Sequence, residues 1–183
     1  MATPRLLWIA AMDSIVTTER LVLAPHGIDD FDEMAAMWGD ARVTPFLGGA
    51  AHNREDSWAQ LLRYAGCWAL LGYGSWCVRR RDTGEYIGSI GFLDAKRTGV
   101  AGFDGDPEIG WALAIAAQGQ GFATEAVRGA LGWGASRFRR TVAMIHPDNI
   151  PSEKVAAACG FAVFAEGRYK DAPTRLWEHR WPR

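Results

Sequence analysis

Between Pro107 and Glu125 the chain alternates bulky and minimal side chains for the length of one strand, then breaks into a glycine turn that opens onto helical sequence. In an extended Pro107–Ile115, Ile109, Trp111, Leu113 and Ile115 fall on one side, and Glu108, Gly110, Ala112 and Ala114 on the other. The bulky side belongs in a core. The opposite side is a lane of small residues, against which another backbone or a slender ligand lies directly, with one carboxylate at its start. Glu108 has two readings: a solvated residue on a half-exposed strand, or a general base if burial raises its pKa towards neutrality.

The turn is Gln118-Gly119-Gln120-Gly121-Phe122-Ala123-Thr124-Glu125. First-turn amides of a helix lack internal partners and carry the positive end of its dipole, and glycines let an anion approach them. The plain alternative is a strand-to-helix turn with no ligand. Among phosphate schemes, a dinucleotide fold needs a small third residue where Thr124 stands and an acid about 20 residues on, where Arg137, Arg139 and Arg140 stand instead. A P-loop needs Gly-Lys-Ser/Thr, which is absent. The remaining scheme is the pyrophosphate turn of acyl-CoA enzymes.

Around this unit the patterns predict one mixed α/β domain with no linker or repeat. Arg20–Ala24 reads as a strand, Asp29 and Asp30 start a helix through Trp38, and Gly39–Asn53 is a loop. Asn53 caps a second helix bearing Trp58, Leu61, Leu62 and Ala65. Strands around Trp76–Arg79 and Tyr86–Leu93 flank an Asp82-Thr83-Gly84 turn, and the loop Gly99–Asp106 leads to Pro107. A helix over about Gly121–Phe138, a strand Thr141–Ile145, a helix over about Asn149–Cys159 capped by Gly160, and strands near Phe161–Ala165 and Thr174–Trp181 follow. The glycines Gly129, Gly132 and Gly134 inside the first of these helices predict close helix–sheet packing.

The 183 residues suit one domain, with organisation expected over 17–183; residues 1–16 are expected to form a disordered or loosely packed extension, and Met12 is an alternative start. Leu6–Met12 is far short of the ~20 apolar residues of a bilayer span, and a cytoplasmic protein with reduced thiols is expected. A formal charge of −1 gives no electrostatic footprint for nucleic acid. Three cysteines, Cys67, Cys77 and Cys159, without a CxxC pair, argue against a disulfide framework or a metal site, and they are expected in the core. Nine tryptophans are a large share; most fall in predicted elements and belong to the core, with Trp68 singled out as a candidate pocket residue.

The order Glu108-Ile-Gly-Trp, Gln118-x-x-Gly-x-Ala-Thr-Glu-Ala, Asn149-x-x-Ser and Cys159-Gly-Phe resembles the GNAT superfamily of acyl-CoA N-acyltransferases, and more narrowly its RimJ/RimL-like branch. The branch's usual Thr-x-Arg-Leu opening appears as Thr18-Glu19-Arg20-Leu21, so the likeness runs from about Thr17 to Trp181. The resemblance implies a mostly antiparallel sheet of about seven strands flanked by about four helices, with a splayed strand pair holding acetyl-CoA. It implies that Gln118, Gly119, Gln120, Gly121, Phe122, Ala123 and Thr124 hold the pyrophosphate, and that Ala112, Leu113, Ala114 and Ile115 line the pantetheine. Asn149, also a natural N-cap, would bind the pantetheine arm, and Ser152 would sit near the sulfur. Many members place a tyrosine acid where this chain has Ala156, so Ser152 takes that expectation.

The activity so implied is transfer of an acetyl group from acetyl-CoA to a primary amine, a protein N-terminus or a small molecule, by direct attack through a tetrahedral intermediate. Glu108 would take the proton directly or through water, a backbone N–H of Ala112–Leu113 would stabilise the oxyanion, and Ser152 would donate to the departing sulfur. No metal is required. The alternative is a non-catalytic acyl-CoA-binding sensor. His146 is a rival base, His52 is a candidate for the acceptor pocket, and Arg79, Arg80 and Arg81 form either a solvated face or a contact for the CoA 3′-phosphate. Gly39–Asn53, Gly99–Asp106 and Glu166–Pro173 are the expected acceptor loops. The partner is an amine acceptor, with no nucleic acid or membrane, and the protein is a monomer or a homodimer.

Overall fold

The computed structural model describes residues 13–48, 50–100, 102–103 and 105–182. Strands β1 (Val16–Thr17) and β2 (Leu21–Pro25) precede helix α1 (Phe31–Trp38), which is entered through a short 3-10 turn whose Asp30 carboxylate accepts the Gly27 N–H at 2.7 Å. Helix α2 (Arg54–Leu71) starts on a reciprocal cap: Asn53 Oδ1 accepts the Asp56 N–H and Asp56 Oδ2 accepts the Asn53 N–H. It stops at Gly72, whose φ of 72° is left-handed. Next come β3 (Ser75–Arg80), β4 (Tyr86–Leu93) and β5 (Glu108–Leu113), then α3 (Phe122–Gly134), β6 (Arg140–Ile145), α4 (Ile150–Ala158), β7 (Ala162–Tyr169) and β8 (Ala172–Arg180).

The strands form one open sheet in the order β1-β2-β3-β4-β5-β6-β8-β7. All neighbours are antiparallel except β5 and β6, which run parallel. Parallel neighbours need a crossover, and α3 supplies it. On one sheet face α3 buries Phe122, Ala126, Val127, Ala130 and Leu131 against Leu21, Val78, Ile90 and Ile109. The other face packs Cys77, Tyr86 and Ala112 against Met34, Met37 and Trp38 of α1 and Leu61 of α2. Each fully buried aliphatic or Met side chain of these layers contributes roughly 1.5–3 kcal/mol.

Most of the tryptophans fill the first layer. Trp76, wholly buried, meets Trp68, Trp133 and Phe92 edge-on at 5.1–6.0 Å. Trp68 therefore belongs to this aromatic cluster and not to a pocket, and its Nε1–H donates to Ser75 O. Trp58, expected in the core, is exposed and rests edge-on against Phe31, because α2 is amphipathic on a narrower stripe than its apolar count suggests. Trp8 lies outside the described residues.

Several boundaries shift. Residues 13–16, expected with the extension, are packed: Trp76 Nε1 donates to Ser14 O, Trp133 Nε1 donates to Asp13 O, and Val16 opens an eighth strand. Residues 1–12 lie outside the described part. The central strand ends at Leu113, not Ile115; the chain then turns through Ile115–Ala117, so Ile115 packs beside Ala112 on the face opposite Ile109. The helix expected to reach Phe138 stops at Gly134, where a Cβ would meet Trp181 at 3.0 Å and Phe138 and Phe92 at 3.2 Å. Gly129 lies where a Cβ would meet Thr18 at 2.9 Å and Val16 of β1 at 3.2 Å, a close approach to that strand, whereas Gly132 has nothing near it among the described residues. Glu166–Pro173, expected as a loop, is largely the β7–β8 ladder, which turns at Lys170 and Asp171.

Candidate functional site

The ladder between β5 and β6 contains one residue pair, Glu108 with Val142, backed by the Val142 N–H donating to Pro107 O. Beyond it the two strands diverge towards their C-terminal ends. The Ala114 N–H donates to Ile87 O, so by antiparallel alternation the even-numbered residues of β5 turn their backbone groups to β4. Trp111 and Leu113 therefore direct their N–H groups into the divergence. This splits the expected Ala112–Leu113 pair: the Ala112 N–H faces β4, and the Leu113 N–H faces the cleft. A backbone edge left without a ladder is costly unless water or a ligand completes it.

Both walls of the cleft end in helix N-termini. Beyond β5, Gln118 donates from Nε2 to Leu113 O, and Gly119 and Gly121 have φ values of 75° and 79°. Only glycine holds that conformation without a steric penalty. Among the described residues nothing beyond its own chain neighbours lies within 4 Å of a Cβ built on Gly119, and Gly121 caps α3 without a side-chain hydrogen bond. The amides of the first turn are thus open to an anion. The Thr18-Glu19-Arg20-Leu21 segment pins this turn. Glu125 accepts from Thr18 Oγ1 at 2.6 Å, the Arg20 N–H at 2.7 Å and Arg20 Nε at 2.6 Å, while Arg20 also donates to Gln120 O and lies 4.5 Å above the Phe122 ring.

Beyond β6, Asn149 caps α4 by accepting the Ser152 N–H at 3.2 Å. Its Oδ1 is thereby committed, and its amide NH2 is the group left to meet a ligand carbonyl. Pro151 sits in the first turn, where its missing N–H costs nothing. Ser152 is half-buried on the same turn.

Glu108 is buried at the start of the lane, 8% exposed, and both its oxygens are held by Arg97: Nε to Oε2 at 2.5 Å and Nη2 to Oε1 at 2.7 Å. The Arg97 guanidinium also lies 4.7 Å from the centre of the Tyr169 ring at the β7–β8 tip. The pair borders a cleft of about 150 Å³ that includes Leu93, Phe103 and Asp106. Sequence reading missed Arg97; it lies in a loop, eleven residues from its partner, and no local pattern announces a bidentate pair. Among the described residues Gly110 is open above, with Leu93 alone within 4.0 Å of a built Cβ, while Ala112 is buried under α1. The small-residue lane is thus partly free surface and partly helix seat.

The remaining candidates have other employment. His146 Nδ1 accepts the Asp148 N–H at 3.1 Å and its ring lies 5.3 Å from Phe46, so the Gly39–Asn53 loop reaches the end of β6. His52 stacks on Trp38 at 5.1 Å. Arg79 pairs with Asp30 and Glu33, Arg80 with Asp82, and Arg81 donates to the carbonyls of Thr18 and Glu19. All three cysteines are free thiols; burial raises their pKa values, that of Cys77 to about 12, which makes them poor nucleophiles. Among the described residues no group of three or more His, Cys, Asp or Glu side chains gathers as a metal set, and no helix is long and apolar enough to cross a membrane.

Known proteins share this architecture. Residues 20–162 match the family model described as acetyltransferase (GNAT) domain. The uncharacterized N-acetyltransferase p20 of Bacillus licheniformis is 28% identical over 159 residues, 84% of each chain. A solved structure from Bordetella pertussis assigned to the GnaT-family acetyltransferases superposes with a TM-score of 0.79 at 31% identity, covering 90% of this chain and 98% of that one. The ribosomal L7/L12 alpha-N-protein acetyltransferase RimL, solved with coenzyme A, shares the fold at a TM-score of 0.76 and 16% identity, over 91% of this chain and 98% of that one. The family model spans most of the chain and the solved structures superpose over nine-tenths of it, and the chain belongs to the GNAT family of acyl-CoA-dependent acetyltransferases.

Proposed function

We propose that this acetyltransferase moves an acetyl group from acetyl-CoA to a primary amine, with Glu108 as the base. The observation that carries the reading is the divergence of β5 from β6 with a buried carboxylate at its closed end and two helix N-termini at its open end. The residues suit the donor. Open amides from Gly119 to Thr124 match a pyrophosphate, the N–H groups of Trp111 and Leu113 match the carbonyls of an extended pantetheine and thioester, and the Asn149 amide reaches the same arm.

The thioester supplies an acyl carbon with a thiolate leaving group, and no covalent enzyme intermediate is needed. Glu108 takes the proton of the attacking amine, directly or through a water. One inward-facing N–H of β5 donates to the oxygen as it becomes anionic, where a preorganised amide contributes most. Ser152 donates a hydrogen bond to the departing sulfur, whose proton is the one that Glu108 removed from the amine. An α-amine, with an ordinary pKa near 7.7–8.0, is a better acceptor at neutral pH than a Lys side chain near 10.4. RimL acts on a protein N-terminus, and a protein N-terminus or a small-molecule amine fits here.

Purified protein with acetyl-CoA and a panel of amines should release free CoA, and Glu108→Gln should lower kcat by about 10²–10⁴ while acetyl-CoA still raises the melting temperature of the variant. Stabilisation by acetyl-CoA without turnover on any amine would identify a sensor instead.

A further inference from the structure

Glu108 is not free to act as a base while both its oxygens accept from Arg97. One of those bonds must open before an oxygen can receive a proton. Opening it leaves the guanidinium, whose side chain is only 19% exposed, facing a neutralised acid. A buried cation without an anion is unfavourable, so the exchange needs an incoming negative group. Among the described residues the nearby acids do not provide one. Asp94 is taken by Lys96 at 2.5 Å, and Asp106 by Arg140 at 2.7 Å.

The chain is built to deliver Arg97 to this point. Lys96 has a φ of 45°, uncommon for a residue with a side chain, and its N–H donates to Asp94 Oδ1 at 3.1 Å, so the loop turns sharply just before Arg97. Tyr169 from the β7–β8 tip then lies against the guanidinium. A planar fork fixed on its face and presented to a small cleft is suited to a second carboxylate as well as to the first. The 150 Å³ cleft accommodates a small head group and is below the usual size of a drug-like site. Gly110, two residues along β5 from Glu108 and so on the same face of the strand, leaves space for a ligand beside it.

We propose that the acceptor is a small amine bearing its own carboxylate, a free α-amino acid being the simplest, and that Arg97 exchanges Glu108 for that carboxylate. This rests on Glu108 being the base. The acceptor's carboxylate takes the guanidinium fork, Glu108 is released, and its oxygen receives the amine proton as the N–C bond forms and the C–S bond breaks. The thiolate leaves accepting a hydrogen bond from the Ser152 hydroxyl, and the proton held by Glu108 returns through water to complete the CoA thiol. Substrate binding thereby switches on the base, and an amine lacking the anion leaves it locked.

The test is acetyl-CoA turnover on common α-amino acids, each paired with its carboxamide. At least one acid should exceed its amide by about ten- to a hundredfold in kcat/KM, the range of one hydrogen bond to a charged group. This should hold although the amide's amine is the less basic and more often neutral. Arg97→Gln should remove that preference, raising KM for the acid and raising kcat for the amide because Glu108 is no longer held in the resting pair; Arg97→Lys, which keeps the charge without the fork, should restore part of the preference. Amides equal to acids across the panel would overturn the proposal, as would equal losses on both in Arg97→Gln. Turnover confined to peptide N-termini or polyamines would overturn it while leaving the acetyltransferase reading standing. Release of CoA from no amine at all would overturn both.

Discussion

Glu125→Ala tests whether the Thr18–Arg20 segment holds the glycine turn. The wild-type carboxylate, 16% exposed, receives three short hydrogen bonds from residues more than a hundred positions away. The Arg20 side chain is 44% exposed, so that ion pair is screened and contributes only about 0.5 kcal/mol. The Thr18 hydroxyl and the Arg20 N–H, less able to recover water, are each assigned about 1 kcal/mol. Loss of an anion at the α3 N-terminus costs about 0.3–1 kcal/mol more, and alanine's helix propensity returns a few tenths. The net is about 2.5 kcal/mol, equivalent to roughly 5–10 °C in melting temperature for a domain of this size. The difference should be pH-dependent. The hydrogen bonds from Thr18 and Arg20 overcome the opposing effect of desolvation and hold the Glu125 pKa below its ordinary 4.5. Its stabilisation is therefore present above about pH 4.5 and is lost as pH falls through the lower folded value. Urea unfolding of both proteins at pH 7 and at decreasing pH down to 3, with and without acetyl-CoA, reads it out. The variant should also lose part of the acetyl-CoA-induced rise in stability. A destabilisation under about 0.5 kcal/mol, or one unchanged across that pH range, would refute the clamp.

Gly121→Ala should cost roughly 1–2 kcal/mol through its φ of 79°, with no steric contribution because the nearest atom to the new Cβ, Arg20 Nη2, is 3.5 Å away; calorimetry with and without acetyl-CoA should show a smaller ligand-induced shift. His26 is buried between Ser75 O, 3.3 Å from Nδ1, and Ser89 Oγ, 3.1 Å from Nε2, and burial lowers its pKa from 6.5 to about 4. The unfolded chain then binds the extra proton between those values, so stability should be full above about pH 6.5 and fall by about 3 kcal/mol by pH 4. Denaturant unfolding of His26→Gln should show a flatter acid limb over that window, and an unchanged slope would refute the assignment.

Much of this was legible because it is local. The large–small alternation of Ile109, Trp111 and Leu113 with Gly110 and Ala112 requires only the period of a strand, and the caps at Asn53 and Asn149 require only one side chain and an amide three residues on. The strand end was misplaced at Ile115 because its residue type suits a strand, and nothing local reports that β6 has already diverged. The Arg20–Glu125 and Arg97–Glu108 contacts were illegible for the same reason. They join charges from separate segments, and charge alone does not say which of many partners it meets.

The sequence by itself determined the mixed α/β class, the two-faced strand, the glycine turn and the order of residues that places the chain among GNAT acetyltransferases. Periodicity, positive-φ demand and capping act within a few residues, so they can be read in one dimension. Only the tertiary structure decided that β5 and β6 share a single pair before separating, that the Leu113 N–H and not that of Ala112 enters the cleft, and that Glu108 is clasped by Arg97. These depend on register between strands and on which charges are buried together, and both are fixed when the layers pack.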